Sequence, residues 1–189
     1  MSNKDDAEII KLILDGDQDS YRILVDKYSN MIFMHIFKIC ANREDAQEIT
    51  QDSFVKAYFS LKKFKGKSSF STWLYRIAYN TTISTLRKKK RLTFTEDIDK
   101  YISYSSNKKW SSNTNNEINE KIIDETHYKQ IELAMLSLKI EDRFVLTAFY
   151  QEHKSIAEIA EISGQNLSNV KTRLHRSRKR LTEVIKNNR

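Results

Sequence analysis

The chain has 189 residues, with 33 Lys and Arg against 25 Asp and Glu, a formal net charge of +8 and 39% hydrophobic residues. That length accommodates one domain or two small ones. No stretch approaches the roughly 20 uninterrupted apolar residues of a membrane-spanning helix. The polar, acidic Met1–Ala7 lacks the basic and apolar regions of a secretory leader, so a cytoplasmic protein without direct membrane insertion is expected. The lone Cys40 excludes an internal disulfide or a zinc knuckle, and its place in the apolar run Met31–Cys40 makes it a buried small hydrophobe. His35, His127, His153 and His175 show no metal-ligand spacing. Proline is absent and glycine occurs three times. With apolar residues at three- and four-residue steps, this reads as an all-α chain.

In chain order, Ala7–Leu14 reads as a short amphipathic helix closed at Asp15-Gly16-Asp17. A longer helix runs through Tyr21, Leu24, Val25 and Tyr28 to Cys40, and Asn42 to Asp45 looks like a break. Ala46–Leu61 resumes helical spacing, with Ile49, Phe54, Ala57, Tyr58 and Leu61 available to a core. Residues 1–60 hold 7 basic and 11 acidic side chains, whereas residues 61–92 hold 10 basic and none acidic. This acid-free block contains a loop, Lys62–Ser71, with Gly66 at its tip. It continues into a helix of about Trp73–Arg91, started by Ser71 or Thr72 and ending in Arg87-Lys88-Lys89-Lys90-Arg91. Phe70 and Trp73 read as core.

Thr93–Asn119 differs in kind. Its polar low-complexity part, Ser103–Asn119, buries too little apolar surface to offset ordering entropy and reads as a flexible linker, with Trp110 its largest apolar residue. Residues 93–125 carry 4 basic and 7 acidic side chains, and residues 126–189 carry 12 and 7. Two basic blocks separated by an acidic spacer point to two contacts with a polyanion. The expected division is therefore a domain over 1–92, a linker over 93–121 and a second domain over 122–189.

In the second domain, Ile131, Leu133, Met135, Leu136 and Leu138 suggest one helix, and Phe144, Val145, Ala148 and Phe149 another. Ser155-Ile156-Ala157-Glu158 fits a capping box, Ser163-Gly164-Gln165-Asn166 a short turn, and Asn166 an N-cap. A short helix, a glycine turn and a longer basic helix form the helix-turn-helix pattern. At about 100° per residue, Val170, Leu174, Ser177 and Leu181 share one sector of the second helix. Ser168, Thr172, His175, Arg176 and Lys179 lie opposite, flanked by Lys171 and Arg173. Arginine can bind guanine bidentately in a major groove, and Lys or Arg can hold phosphates.

With those residues in view, the chain resembles the extracytoplasmic-function (ECF) sigma factors of bacterial RNA polymerase. The resemblance rests on Asp45–Tyr58 (DAQEITQDSFVKAY), Phe64–Asn80 (FKGKSSFSTWLYRIAYN) and Ser155–Leu181 (SIAEIAEISGQNLSNVKTRLHRSRKRL). It implies a sigma-two-like bundle and a sigma-four-like helix-turn-helix domain, with core polymerase, promoter DNA and an anti-sigma factor as partners and no small-molecule substrate. Asp45, Glu48, Gln51, Asp52 and Phe54 become polymerase-contact candidates, an acidic surface with one exposed aromatic. For the minus-ten element the candidates are Lys63, Lys65, Lys67, Ser68, Arg76, Tyr79, Asn80, Arg87 and Lys88, around a loop that captures a flipped base; Arg91 would add a phosphate contact. For the minus-thirty-five element they are Ser168, Lys171, Thr172, Arg173, His175, Arg176, Arg178 and Lys179. Of these, Lys171, Thr172, His175 and Arg176 would read bases, and Arg173, Arg178 and Lys179 would hold the backbone. One departure is the absence of the Leu-Pro pair common before the helix of Phe144; here the chain reads Leu138-Lys139.

Two other classes fit the residues less well. A stand-alone helix-turn-helix regulator would leave the acid-free block 61–92 without a purpose. A nucleic-acid enzyme would need a phosphate-cradling glycine loop, a metal-ligand cluster or a nucleophile–base pair, and the sequence offers none of these. No catalytic residue, metal or cofactor is therefore expected.

Overall fold

In the computed structural model, residues 5–90, 130–131 and 133–187 are described, and among them every regular element is helical. The expected linker and Trp110 lie outside the described residues. Helix α1 (Asp6–Leu14) buries Ile9, Ile10 and Ile13. Gly16 follows at φ +113°, a backbone geometry open to glycine. A single turn at Gln18–Ser20, in which Asp17 accepts the Ser20 amide, leads into α2 (Tyr21–Cys40). The buried side chains of α2 are Leu24, Ile32, His35, Ile36 and Ile39, a stripe at helical spacing.

The break expected at Asn42–Asp45 contracts to two residues. Ala41 closes α2 in the left-handed conformation at φ 57°, and Asn42 caps α3 (Arg43–Ser60) by accepting the Asp45 amide at 2.9 Å. Glu44 and Asp45 then sit in the first turn, where negative charge complements the helix dipole, so α3 starts three residues before Ala46. Two polar residues of α3 are buried without an unmet hydrogen bond. The hydroxyls of Thr50 and Ser53 donate to the carbonyls of Ala46 and Ile49, each at 2.6 Å.

Helix α4 (Phe70–Lys90) also starts early. Ser69 Oγ, rather than Ser71 or Thr72, accepts the amide of Thr72 at 3.1 Å. Phe64, Phe70 and Trp73 form an aromatic cluster with centroids 5.2–5.9 Å apart, which holds the preceding loop onto the helix. Cys40 is sheltered at the end of α2, and burial pushes its thiol up to about 11.

In the second half, residues 133–137 are helical. Helix α5 (Ile140–Leu146) continues into a wider π-type turn at Thr147–Gln151. Lys139 precedes α5 at φ −62°, ψ 148°, so lysine adopts here the φ that a proline would impose. Helix α6 (Ile156–Ser163) carries both halves of the expected capping box, and Gly164 closes it at φ 68°. Helix α7 (Leu167–Asn187) follows, with Asn166 Oδ1 accepting the Asn169 amide at 2.7 Å.

Helices α2, α3 and α4 pack on one another, while α5 and α6 pack on α7. The two halves also meet: α6 and α5 lie against α4, and α5 touches α2. The main hydrophobic core therefore runs from Ile9 of α1 to Val170 of α7, and a smaller cluster gathers Met135, Leu138 and Leu146 beside Leu174 and Leu181.

Candidate nucleic-acid and polymerase interface

The helical-wheel reading of α7 is reproduced in three dimensions. Val170 and Ser177 are fully buried, and Leu174 and Leu181 are half-buried on the same side. Ser168, Lys171, Thr172, His175, Arg176, Arg178 and Lys179 are exposed. Among the described residues Lys171, His175 and Arg176 have no charged partner, so hydration is the main cost of handing them to DNA. Lys179 lies 4.0 Å from Glu183 in an exposed i,i+4 pair, and Arg178 Nη1 is 3.4 Å from the Tyr150 hydroxyl.

Arg173 is placed differently from its expected phosphate role. Its Nη1 is 2.9 Å from Asp142 Oδ1, while Arg180 Nη1 is 2.7 Å from Asp142 Oδ2. Asp142 is buried at the start of α5, and the two arginines satisfy one oxygen each. A carboxylate so far from water needs such partners. The fork fixes the rotation of α7 about its axis and commits Arg173 to the fold. Asp142 has no motif signal in the sequence.

The minus-ten candidates divide into an open and a covered set. Lys63, Lys65 and Lys67 project from the loop around Gly66 (φ 66°) and are exposed, with Ser68 half-buried. Arg76, Asn80, Arg87 and Lys88 are exposed along α4. Tyr79, one of the minus-ten candidates, is only 7% exposed and so closed to DNA here, its ring 4.3 Å from that of Phe144 in α5. Burial, with the negative charge of Glu141 nearby, raises its phenol above the ordinary range. Arg87 Nη2 is 2.5 Å from Glu141 Oε1. Partial burial pushes the Glu141 carboxyl up, but the Arg87 guanidinium and the helix-start amides outweigh it and hold it below its usual value.

The polymerase candidates all lie on α3. Glu48, Gln51 and Asp52 are exposed. Asp45 is half-buried and pairs with Lys89 of α4, which also lies 3.5 Å from Glu48. Phe54 is only 6% exposed, so it is not the expected exposed aromatic. Its backbone carbonyl accepts the Tyr21 hydroxyl at 2.7 Å, and its side chain lies on the core side that helical spacing gives it. The exposed aromatic of this face is Phe59, at 77%. With Val55 it borders an open, largely apolar groove between α2 and α3 that also takes in Val25 and Phe33. Sequence reasoning missed Phe59 although its spacing carries the signal: at about 100° per residue it falls beside Glu48 and Asp52, opposite Ala57 and Leu61.

A second unforeseen feature joins the two halves. His35 of α2 is fully enclosed, its Nδ1 2.5 Å from Glu152 Oε1 beyond the π-type turn. The Tyr75 and Phe144 rings meet the imidazole edge-on at 5.0 and 5.4 Å. Burial drives the Glu152 carboxyl up, but His35, with Lys38 and Lys154, outweighs it and holds the carboxyl below its usual range. Nearby, Arg143 Nη1 donates to the Ile39 carbonyl at 2.6 Å, satisfying one of the free carbonyls at the end of α2.

Residues 24–92 match the Sigma-70 region 2 family and residues 128–181 the Sigma-70, region 4 family. Over 94% of this chain and 95% of its relative, the sequence is 31% identical to the ECF RNA polymerase sigma factor SigW of Bacillus subtilis. It is 34% identical to the RNA polymerase sigma factor YlaC of the same organism, over 85% of this chain and 89% of the relative. In fold it resembles CnrH in its complex with the cytosolic domain of CnrY, with a TM-score of 0.66, 18% identity and coverage of 97% and 99%. It likewise resembles the sigma factor RpoE of Bartonella quintana in its complex with the anti-sigma factor NepR, with a TM-score of 0.65, 19% identity and coverage of 89% and 98%. The chain belongs to the ECF sigma factors of RNA polymerase, which direct the polymerase to promoters. The pairing of regions 2 and 4 in one chain disfavours a stand-alone regulator.

Proposed function

We propose that the two halves divide promoter recognition, with residues 1–92 docking on core polymerase and opening the minus-ten element, and 122–189 reading the minus-thirty-five element across a linker at 93–121. The face of α7 carries this reading: an unobstructed outer row of hydroxyl, imidazole and guanidinium groups backed by a buried row. Lys171, Thr172, His175 and Arg176 read bases; Arg178 and Lys179 hold phosphates, with Arg173 held back by Asp142. The lysines of the 63–67 loop grip the displaced strand, and Ser68 with the first turns of α4 takes the flipped base. Glu48, Gln51, Asp52 and Phe59 form the polymerase-facing surface of α3.

The factor works in the cytoplasm without chemistry of its own, all bond making being left to the polymerase. An anti-sigma factor holds it in reserve, a reading supported by the likeness to a sigma factor solved with such a partner. Run-off transcription with purified core polymerase on sheared genomic DNA tests the whole. Discrete transcripts that need both components are expected. Their absence, together with failure to co-elute with core enzyme, would leave a free DNA-binding regulator in its place.

A further inference from the structure

The phosphate candidates of α7 differ in what they meet. Arg173 and Lys179 lie beside carboxylates, whereas Arg178 lies beside a hydroxyl, its Nη1 3.4 Å from the phenol oxygen of Tyr150. The contact is long and exposed, so it sets two polar groups side by side without using either up. The guanidinium donates and the phenol oxygen accepts. The Tyr150 O–H therefore stays free to donate outward, as do the other guanidinium N–H groups. Donors that converge on open solvent fit an anion with several acceptor oxygens.

The backbone puts Tyr150 there by an unusual route. It belongs to the π-type turn at Thr147–Gln151, in which the Glu152 amide donates back to the Thr147 carbonyl at 3.2 Å. Turns of this kind are rare and recur at functional sites. This one buries Thr147 and Ala148 yet leaves Tyr150 48% exposed. Phe149, packed against the main core, meets the Tyr150 ring edge-on at 5.0 Å and steadies it. At about 100° per residue, Arg178 falls near Lys171 and His175 at one edge of the outer row of α7, and the Arg173–Asp142–Arg180 fork lies at the other. We propose that Tyr150 is a DNA-backbone contact for the minus-thirty-five element, its hydroxyl and the Arg178 guanidinium gripping one phosphate at the edge of the groove that α7 enters. Such a contact carries no sequence information; it sets the register at which the reading side chains meet the bases. Tyr150 is thus a positioning residue supplied from outside the helix-turn-helix. The proposal rests on α7 being the minus-thirty-five reader.

Binding of the holoenzyme, core polymerase with this chain, to a promoter fragment mapped by run-off transcription tests it. Tyr150→Phe keeps the ring and removes the oxygen. It is expected to weaken binding about threefold to tenfold, by the same factor on every minus-thirty-five base variant. The salt dependence should not change, because the hydroxyl is neutral, whereas Arg178→Ala should lower its slope by about one. In the Arg178→Ala background the effect of Tyr150→Phe should shrink below about twofold, since the two groups share a phosphate. A set of fragments with one methylphosphonate each locates that phosphate: neutralising a single position should erase the effects of both substitutions. Undiminished binding by Tyr150→Phe, fully additive losses, or a loss that no single methylphosphonate removes would each overturn the contact. If Lys171→Ala and Arg176→Ala leave the order of minus-thirty-five variants unaltered, α7 is not the reader and the contact fails with it. An altered order with a silent Tyr150→Phe removes Tyr150 alone.

Discussion

Helices α4 and α7 are each 21 residues long, amphipathic and free of acid in their first turn, yet they meet solvent differently. In α7 the apolar row is consumed by the core and the polar row faces outward unobstructed. In α4 the core takes Phe70, Leu74, Tyr75 and Ala78, and part of the remaining face, at Tyr79 and Arg87, is taken by α5. Two helices of similar chemistry thus differ in availability, and the difference arises from what packs on them. A basic helix counts as a DNA reader only when its surroundings are known.

The most severe way to disturb this comparison is through Phe144, fully buried where the two halves meet. Phe144→Ala should cost about 3–5 kcal/mol. Because the main core is continuous, the cost should appear in the unfolding of the whole chain by denaturant. A loss confined to a separate C-terminal transition would show that the halves fold independently. The open side is sharpened by Arg176→Ala, which should cost about 1–3 kcal/mol at a base read bidentately while leaving stability unchanged. Transcription from a panel of minus-thirty-five variants checks it, and an unaltered ranking would remove Arg176 from the readers.

Asp142→Asn addresses why Arg173 differs from Arg176. The arginines it releases are partly exposed, so a loss of only about 1–2 kcal/mol is expected, discounted for solvent screening. The salt dependence of DNA binding should steepen as Arg173 becomes free for phosphate. An unchanged slope would show that Arg173 does not reach the backbone even when released.

The smallest effect concerns the start of the helix-turn-helix. Ser155→Ala should cost about 1 kcal/mol through loss of the cap. Hydrogen bonds from the Ser155 hydroxyl and amide hold the Glu158 carboxyl below its usual range. A depressed carboxylate contributes stability above its unfolded value, and that contribution is lost as pH falls through the folded one. Melting curves recorded downward from neutral pH should therefore show the Ser155→Ala deficit shrinking as Glu158 protonates. A deficit constant with pH would detach the carboxylate from the cap.

Much of this was legible in the residues alone. The absence of proline, the helical spacing, the capping box at Ser155–Glu158, the turn at Gly164 and the two rows of α7 are local properties, settled within a few residues of chain. The helix starts at Arg43 and Phe70 came earlier than spacing suggested, because a single cap hydrogen bond, from Asn42 or Ser69, decides where a helix begins. What only the tertiary structure decided is which charged and aromatic groups are free. Tyr79 lies beneath Phe144, Arg173 is held by Asp142, and His35 meets Glu152 across 117 residues of sequence. Periodicity reports the side of a helix that prefers to be dry, but not which neighbour covers it. Pairing between distant charges depends on the fold that brings them within hydrogen-bond reach.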